Sequence, residues 1–228
     1  MEDLKSKLGR IYIPDERDHM FLLQSFLPKE LPGIDYKYWW PGGWWGDQGD
    51  CPMCVAFSWA HWLAAGPLTQ KYIRKNGGSA IDTTYLYNEA QKNDVWPGED
   101  YDGTSVRAGA KILKRDGFIS SYNWAWDIET VKNALLTTGP LVVGTMWYYD
   151  MFFPNDKTGI ITATGQAMGG HAYLLDGINI KKKLIRIKNS WGKDWGKNGF
   201  AYISFDDMAK LITDQGEACL AVEINKTV

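Results

Sequence analysis

The sequence predicts an α+β protein, on three observations. Helix signals crowd the stretch before Gly139-Pro140, short β-branched or alternating runs crowd the stretch after it, and Cys54 opens the first helix straight after a Gln and Gly-rich turn. Helices first and strands second is the order of a helical lobe facing an antiparallel lobe. At 228 residues the chain exceeds a usual single domain yet is short for two independent ones, so one unit with two lobes is expected.

Residues 1–30, with the run Ile13-Pro14-Asp15-Glu16-Arg17-Asp18, show no periodic pattern and are expected to pack along the surface as an extended arm. The body is expected over 31–228, its helical lobe over about 50–138 and its β lobe over about 139–228. Helices are expected at Cys54 to Ala65, stopping at Gly66-Pro67, and at Thr83 to Asn93 behind an Asp82 cap. Two more follow, one capped by Thr104 and reaching Arg115, the other capped by Asp127 and covering Ile128 to Thr138. Strands are expected at Leu141 to Met146, His171 to Ile178, Lys183 to Lys188, Gly199 to Ser204 and Cys219 to Ile224, with a short helix at Phe205 to Ile212.

Composition excludes several classes. Hydrophobic residues make up 45% and charged residues 23%, which is ordinary for a chain with a buried core and not for a disordered one. A net charge of -2 leaves no basic field for a phosphate backbone, so nucleic acid is not an expected partner. Lys181-Lys182-Lys183 lies between two apolar alternating runs and reads as a solvated hairpin turn. The twelve Trp and twelve Tyr supply core area, and the pairs Trp39-Trp40 and Trp44-Trp45 are expected to border a cleft.

The first ten residues are charged throughout and lack the apolar centre of a secretory signal. The most apolar stretch, Leu135 to Phe153, is broken by Gly139-Pro140, Gly144 and Asp150, so no membrane association is expected. Three cysteines cannot all pair, and a bridge from Cys51 to Cys54 would constrain almost nothing. A cytoplasmic, intracellular setting is therefore the expectation.

The chemistry centres on Cys54. Pro52 suits a first helical turn and puts Cys54 in that same turn, where backbone N–H groups lack helical partners. The helix dipole there favours thiolate over thiol, and the Cys54 amide can donate to an oxyanion. Gln48, held between Gly46 and Gly49, offers a second donor through its side-chain amide. A base must come from elsewhere, since His61 sits seven residues along the same helix (61 − 54), roughly 10 Å away. His19 falls in the irregular arm, which leaves His171 at a strand entry. Asn189, 18 residues later (189 − 171), can neighbour it across an antiparallel pair and fix its tautomer.

These segments resemble the papain family of cysteine peptidases. The carrying motifs are Gln48-Gly49-Asp50-Cys51-Pro52-Met53-Cys54-Val55-Ala56-Phe57, His171-Ala172, and Lys188-Asn189-Ser190-Trp191-Gly192 with Trp195-Gly196 and Gly199. The separations from the cysteine are 117 (171 − 54) and 135 (189 − 54). The resemblance implies a papain-like two-lobed fold with its site in the cleft between the lobes. It also implies peptide-bond hydrolysis through a thioester, with Cys54 as nucleophile, His171 as its imidazolium partner, Asn189 as orienter and Gln48 as oxyanion donor. No cofactor or metal is implied. The implied partner is a peptide or protein substrate in extended conformation, with Asp102-Gly103-Thr104 pairing its backbone, Gly144, Gly170 and Ala172 lining the cleft, and Trp191 covering the His-Asn contact.

Departures from the family pattern are Pro52-Met53 and Val55 around the cysteine and Gly170 before the histidine, none of which removes a catalytic atom. Cys51 and Cys219 match family cysteines whose disulfide partners are absent here, so both are expected as free thiols. A long inhibitory pro-segment is expected to be missing. The adjacent thiols also raise reversible silencing by a Cys51–Cys54 bridge. Four other readings stay open at this stage: a CxxC thiol oxidoreductase, a zinc site, an amide hydrolase or transferase on the same fold, and a peptide-binding module without turnover.

Overall fold

Apolar residues run without alternation through Leu141-Val142-Val143, Ala172-Tyr173-Leu174-Leu175 and Ala218-Cys219-Leu220-Ala221, which is what a sheet covered on both faces requires. A computed structural model of the chain, describing residues 2–28, 37–40, 44–66, 81–94 and 101–224, shows that sheet. Its strands are β1 (Lys37–Trp39), β2 (Ile119–Ala125), β3 (Leu141–Tyr148), β4 (Ala167–Asn179), β5 (Leu184–Lys188), β6 (Phe200–Ser204) and β7 (Glu217–Glu223). They run in the order β2-β7-β3-β4-β5-β6, every described pairing antiparallel, with β1 added alongside β4.

Alternate residues of the same strands enter two separate cores. Leu141, Val143, Tyr173, Leu175, Ala218 and Leu220 face the β lobe, whose centre also holds Trp147, Ile187 and Met208. Val142, Ala172, Leu174, Cys219 and Ala221 face the helices, against Trp59, Leu63, Leu86 and Leu113. The period of two in side-chain direction thus makes one sheet the wall between two lobes.

The helices are α1 (Glu2–Lys5), α2 (Cys54–Ala65), α3 (Thr83–Lys92), α4 (Val106–Arg115), α5 (Ile128–Thr137) and α6 (Phe205–Thr213). Helix α2 is buried along its whole length, because it runs between the sheet and the other helices of its lobe. Asp82 and Asp127 cap α3 and α5 by accepting first-turn amides, each such cap contributing about 1 kcal/mol. The α+β class stands as expected.

Several local expectations shift. The cap of α4 is Ser105, not Thr104, whose hydroxyl is taken by Asp94. Pro52 lies ahead of the N-cap Met53, so it precedes the first turn of α2 instead of sitting inside it. Strand β2 falls among the helices, where its Ser-Ser-Tyr-Asn segment hid it, and it is held by pairing with β7 near the chain's other end. The expected start of the body at 31 and the Pro67 helix stop lie outside the described residues.

The arm departs most. Most of residues 14–26 are exposed, as a surface arm would be, but the segment is anchored at four buried residues, Gly9, Arg10, Asp18 and Leu23. Arg107 of α4 pairs with Asp18 and also reaches Asp15 at 3.3 Å, pinning this segment to the helical lobe. Of the four clustered tryptophans, Trp39 packs on Tyr202 and under Arg186, the Trp40 indole donates to the Leu135 carbonyl, and Trp44 and Trp45 flank His61.

Candidate active site

Cys54 is the first residue of α2, and its sulfur accepts the Ala172 backbone N–H at 3.4 Å. That contact crosses from the helical lobe to β4, one residue beyond His171. In the register of the sheet His171 lies opposite Thr145, and Ala172 opposite Gly144. The turn after β5 carries Asn189, whose Oδ1 stands 2.9 Å from His171 Nε2.

Asn189 Oδ1 also accepts the Ser190 backbone N–H at 2.8 Å, which identifies it as the amide oxygen. Nε2 of His171 must then carry the proton, and Nδ1 of the neutral ring is the basic nitrogen. Among the described residues Nδ1 has no hydrogen-bond partner although it is fully buried. Trp191 tilts over the imidazole with ring centroids 4.6 Å apart, and Trp147 meets it edge-on at 4.8 Å, so aromatic surface excludes water from the ring.

Gln48 is anchored to the same turn. Its backbone N–H donates to the Ser190 carbonyl at 2.8 Å and its Oε1 accepts the Ser190 hydroxyl at 2.6 Å. With the oxygen so fixed, Nε2 is the group presented outward. It donates to the Cys51 carbonyl and, at 3.0 Å, to the carbonyl of Lys7 in the arm.

His61, set aside on distance, has a structural task. Its Nε2 accepts the Gly46 N–H at 3.0 Å, tying the turn that leads to Gln48 onto α2. Lys188 is buried beside it, donating to the Trp44 carbonyl at 2.7 Å and lying over the Trp45 ring. His19 is exposed and rests on Trp126, 5.0 Å between rings.

The groove between the lobes is filled by the chain's own residues. Thr104 N–H donates to the Gly9 carbonyl at 2.8 Å, Ile11 N–H to the Thr104 carbonyl at 3.0 Å, and Arg10 N–H to the Gly170 carbonyl at 3.0 Å. The Gly9 amide donates to the Cys54 sulfur. Residues Gly103, Gly144 and Gly170 are the walls of this slot. A β-carbon on Gly103 would lie 2.3 Å from the Gly9 carbonyl oxygen, one on Gly144 2.7 Å from Arg10 Nε, and one on Gly170 2.0 Å from the Arg10 carbonyl oxygen. Gly103 has a φ of +97°, and its N–H is held by the Tyr87 hydroxyl at 2.9 Å.

Burial sets the electrostatics. Desolvation pushes the Cys54 thiol up to about 11, outweighing the amides of Ala172, Gly9 and Val55 that favour the thiolate. Desolvation likewise brings the His171 imidazole down to about 4, against the Asn189 hydrogen bond that raises it. The thiolate expected from the helix dipole is therefore not the form of the arm-filled groove; between these values thiol and imidazole are both neutral.

Sequence reasoning missed Arg10 and Glu217. The Arg10 guanidinium enters a pocket in the groove and meets the Glu217 carboxylate at 3.0 Å, each side chain only 2% exposed. A lone acid at the head of an apolar strand was the available signal. None of the three cysteines is in a disulfide; Cys51 is exposed while Cys54 and Cys219 are buried.

A family model described as "Papain family cysteine protease" matches residues 66–218, which include His171 and Asn189 and begin after Cys54. Among curated proteins, the chain is 26% identical over 216 residues to an uncharacterized peptidase C1-like protein of Acanthamoeba polyphaga mimivirus, covering 75% of this chain and 66% of that protein. It is 28% identical over 169 residues to cathepsin B-like cysteine proteinase 6 of Caenorhabditis elegans, covering 68% of this chain and 43% of that one. The chain thus spans less than two thirds of the length of these relatives. In fold it is similar to xylellain, a cysteine protease from Xylella fastidiosa, with TM-score 0.68 at 20% identity over 96% of this chain and 97% of the other.

Proposed function

This chain belongs to the papain family of cysteine proteases, and from that premise we propose that it hydrolyses peptide bonds with Cys54 as nucleophile, His171 as base, Asn189 as the group that orients the base, and Gln48 as oxyanion donor. The observation that carries this reading is the fixed tautomer of His171: Asn189 holds Nε2–H, so a basic Nδ1 remains for the thiol proton. Cys54 Sγ, once deprotonated by Nδ1, attacks the substrate carbonyl carbon. The oxyanion that forms is met by the Cys54 amide and by Nε2–H of Gln48, which in the resting chain already holds a carbonyl oxygen, that of Lys7.

Collapse expels the amine, which takes the proton back from His171 and leaves a thioester on Cys54. Water, deprotonated by His171, then attacks the thioester and releases the acid. An extended peptide would use the Thr104 and Gly170 backbone groups that the arm occupies now, so the arm has to leave before substrate enters. Trp191 keeps the imidazole contact dry.

With an activated ester substrate, whose acylation outpaces deacylation, a chain that forms a thioester releases its first product in a burst of about one equivalent before steady turnover. Gln48→Ala should then lower kcat by about 10²–10³ with little change in KM, because its donor matters only once the oxyanion exists. A stopped-flow trace with no burst, or full kcat in Gln48→Ala, contradicts the assignment.

A further inference from the structure

Lys181-Lys182-Lys183 forms the turn between β4 and β5, as its sequence predicts, yet its middle side chain has company. Lys182 lines a cavity of about 220 Å³ together with Lys37 of β1 and Lys197 of the turn leading into β6. We propose that this cavity is a binding site for a small anion carrying two phosphate groups. No residue of the groove at Cys54 lines it, so the proposal stands apart from the peptidase reading.

The charge here is of one sign. No Asp or Glu lines the cavity, and the ion pairs of lysines among the described residues are those of Lys7, Lys92 and Lys132, which leaves the three cavity lysines without a carboxylate partner. In a chain of net charge -2, three ammonium groups facing one small space repel one another until a counter-charge enters. Asn179 adds a donor: its Oδ1 accepts the Lys182 N–H at 3.0 Å, so Nδ2 is the group left for a ligand. Tyr202 also lines the cavity, and its hydroxyl has no hydrogen-bond partner among the described residues.

Backbone contacts hold the walls and leave the ammonium groups to move. Lys197 N–H donates to the Phe200 carbonyl at 2.8 Å, and Lys183 N–H closes the hairpin on the Ile180 carbonyl at 3.1 Å. The stem of Lys197 crosses Gly159, where φ is +71° and a β-carbon would stand 3.1 Å from the lysine Cγ. Trp39 supplies apolar surface beside Tyr202, with the Lys37 ammonium 5.1 Å from its ring centre and the Arg186 guanidinium carbon 4.7 Å from it.

Lysine meets phosphate as a point charge with three rotatable donors, so fixed stems with free heads suit a compact polyanion. A phosphate group carries about −1.5 to −2 at pH 7, and two of them match three ammonium groups where one carboxylate would answer a single one. The volume falls below the roughly 300–1,000 Å³ of pockets that enclose drug-sized ligands, which fits an anion of this size.

The test titrates the whole chain with inorganic pyrophosphate by calorimetry. One site is expected, binding pyrophosphate about tenfold or more tighter than inorganic phosphate and weakening as sodium chloride is raised. Lys182→Ala with Lys197→Ala should weaken pyrophosphate about tenfold or more. Lys181→Ala with Lys183→Ala removes the same charge from outside the cavity and should stay within about twofold of the parent. No binding of pyrophosphate, or an equal loss in the two double variants, overturns the proposal, the second because it would reduce the effect to overall charge.

All four lysines are exposed, so the unliganded chains should share one thermal transition. Lys182→Gln with Lys197→Gln replaces the double alanine variant if that one melts early. Flotation with vesicles containing a lipid whose headgroup bears two phosphates separates the two sources of this chemistry. Flotation that Lys182→Ala with Lys197→Ala abolishes sustains the site with a lipid-borne ligand, and pyrophosphate binding without flotation sustains it with a free one.

Discussion

Replacing Arg10 by glutamate raises the rate at which iodoacetamide alkylates Cys54 at pH 7 by about 300-fold or more. Burial holds the Cys54 thiol at about 11, and the arm is one of the segments that cover it. At pH 7 roughly one molecule in 10⁴ then carries the thiolate, the only nucleophilic form. Arg10→Glu puts a second carboxylate against Glu217 and removes the ion pair that seats the arm. With the groove open, water returns and the thiol falls at least to its ordinary value near 8.5, which alone gives the stated factor.

The imidazole moves the opposite way, up from about 4, because the same desolvation is relieved. Each shift favours the thiolate–imidazolium pair. Exposed Cys51 is an internal control whose alkylation should stay constant. Mass spectrometry of digested protein reads both sites at once, and equal Cys54 rates in the two chains would show that the arm does not govern the thiol.

The second large effect is on catalysis. In the Arg10→Glu background, His171→Ala should lower kcat/KM for a peptide substrate by about 10⁴ or more, since the thiol proton then has no acceptor. Asn189→Ala should lose less, because the base survives and only its orientation is relaxed. Its pH profile should also broaden, as the ring is no longer held to one tautomer. Progress curves for the three chains across pH 5–9 check this, and a His171→Ala chain within tenfold of its parent would remove His171 from the mechanism.

What the sequence made legible is local. Asp82 and Asp127 are read as caps because a short acceptor ahead of an apolar periodic run has one good use, and both caps are present. Helix α2 also starts at Cys54 as expected, although Met53 at its N-cap makes no side-chain cap and Pro52 lies ahead of its first turn. The short runs at 141–146, 171–178 and 219–224 are read as strands, and β3, β4 and β7 lie there.

What stayed hidden depends on partners far along the chain. Strand β2 is polar in its middle, and only pairing with β7 makes it a strand. Residues 7–11 carry no pattern of their own, and their conformation is set by Gln48, Thr104 and Gly170. Glu217 reads as a surface acid until Arg10, 207 residues away, is brought to it. The protonation of Cys54 is the same lesson in electrostatics. The helix start is a local signal favouring thiolate, but desolvation in the folded chain outweighs it.

The most direct measurement treats the Arg10→Glu chain with a thiol-directed peptidyl epoxide and maps the label. The account predicts one equivalent, carried on Cys54, abolished by Cys54→Ala and slowed strongly by His171→Ala. Label on Cys51 or Cys219 with Cys54 unmodified, or labelling indifferent to His171, would contradict it.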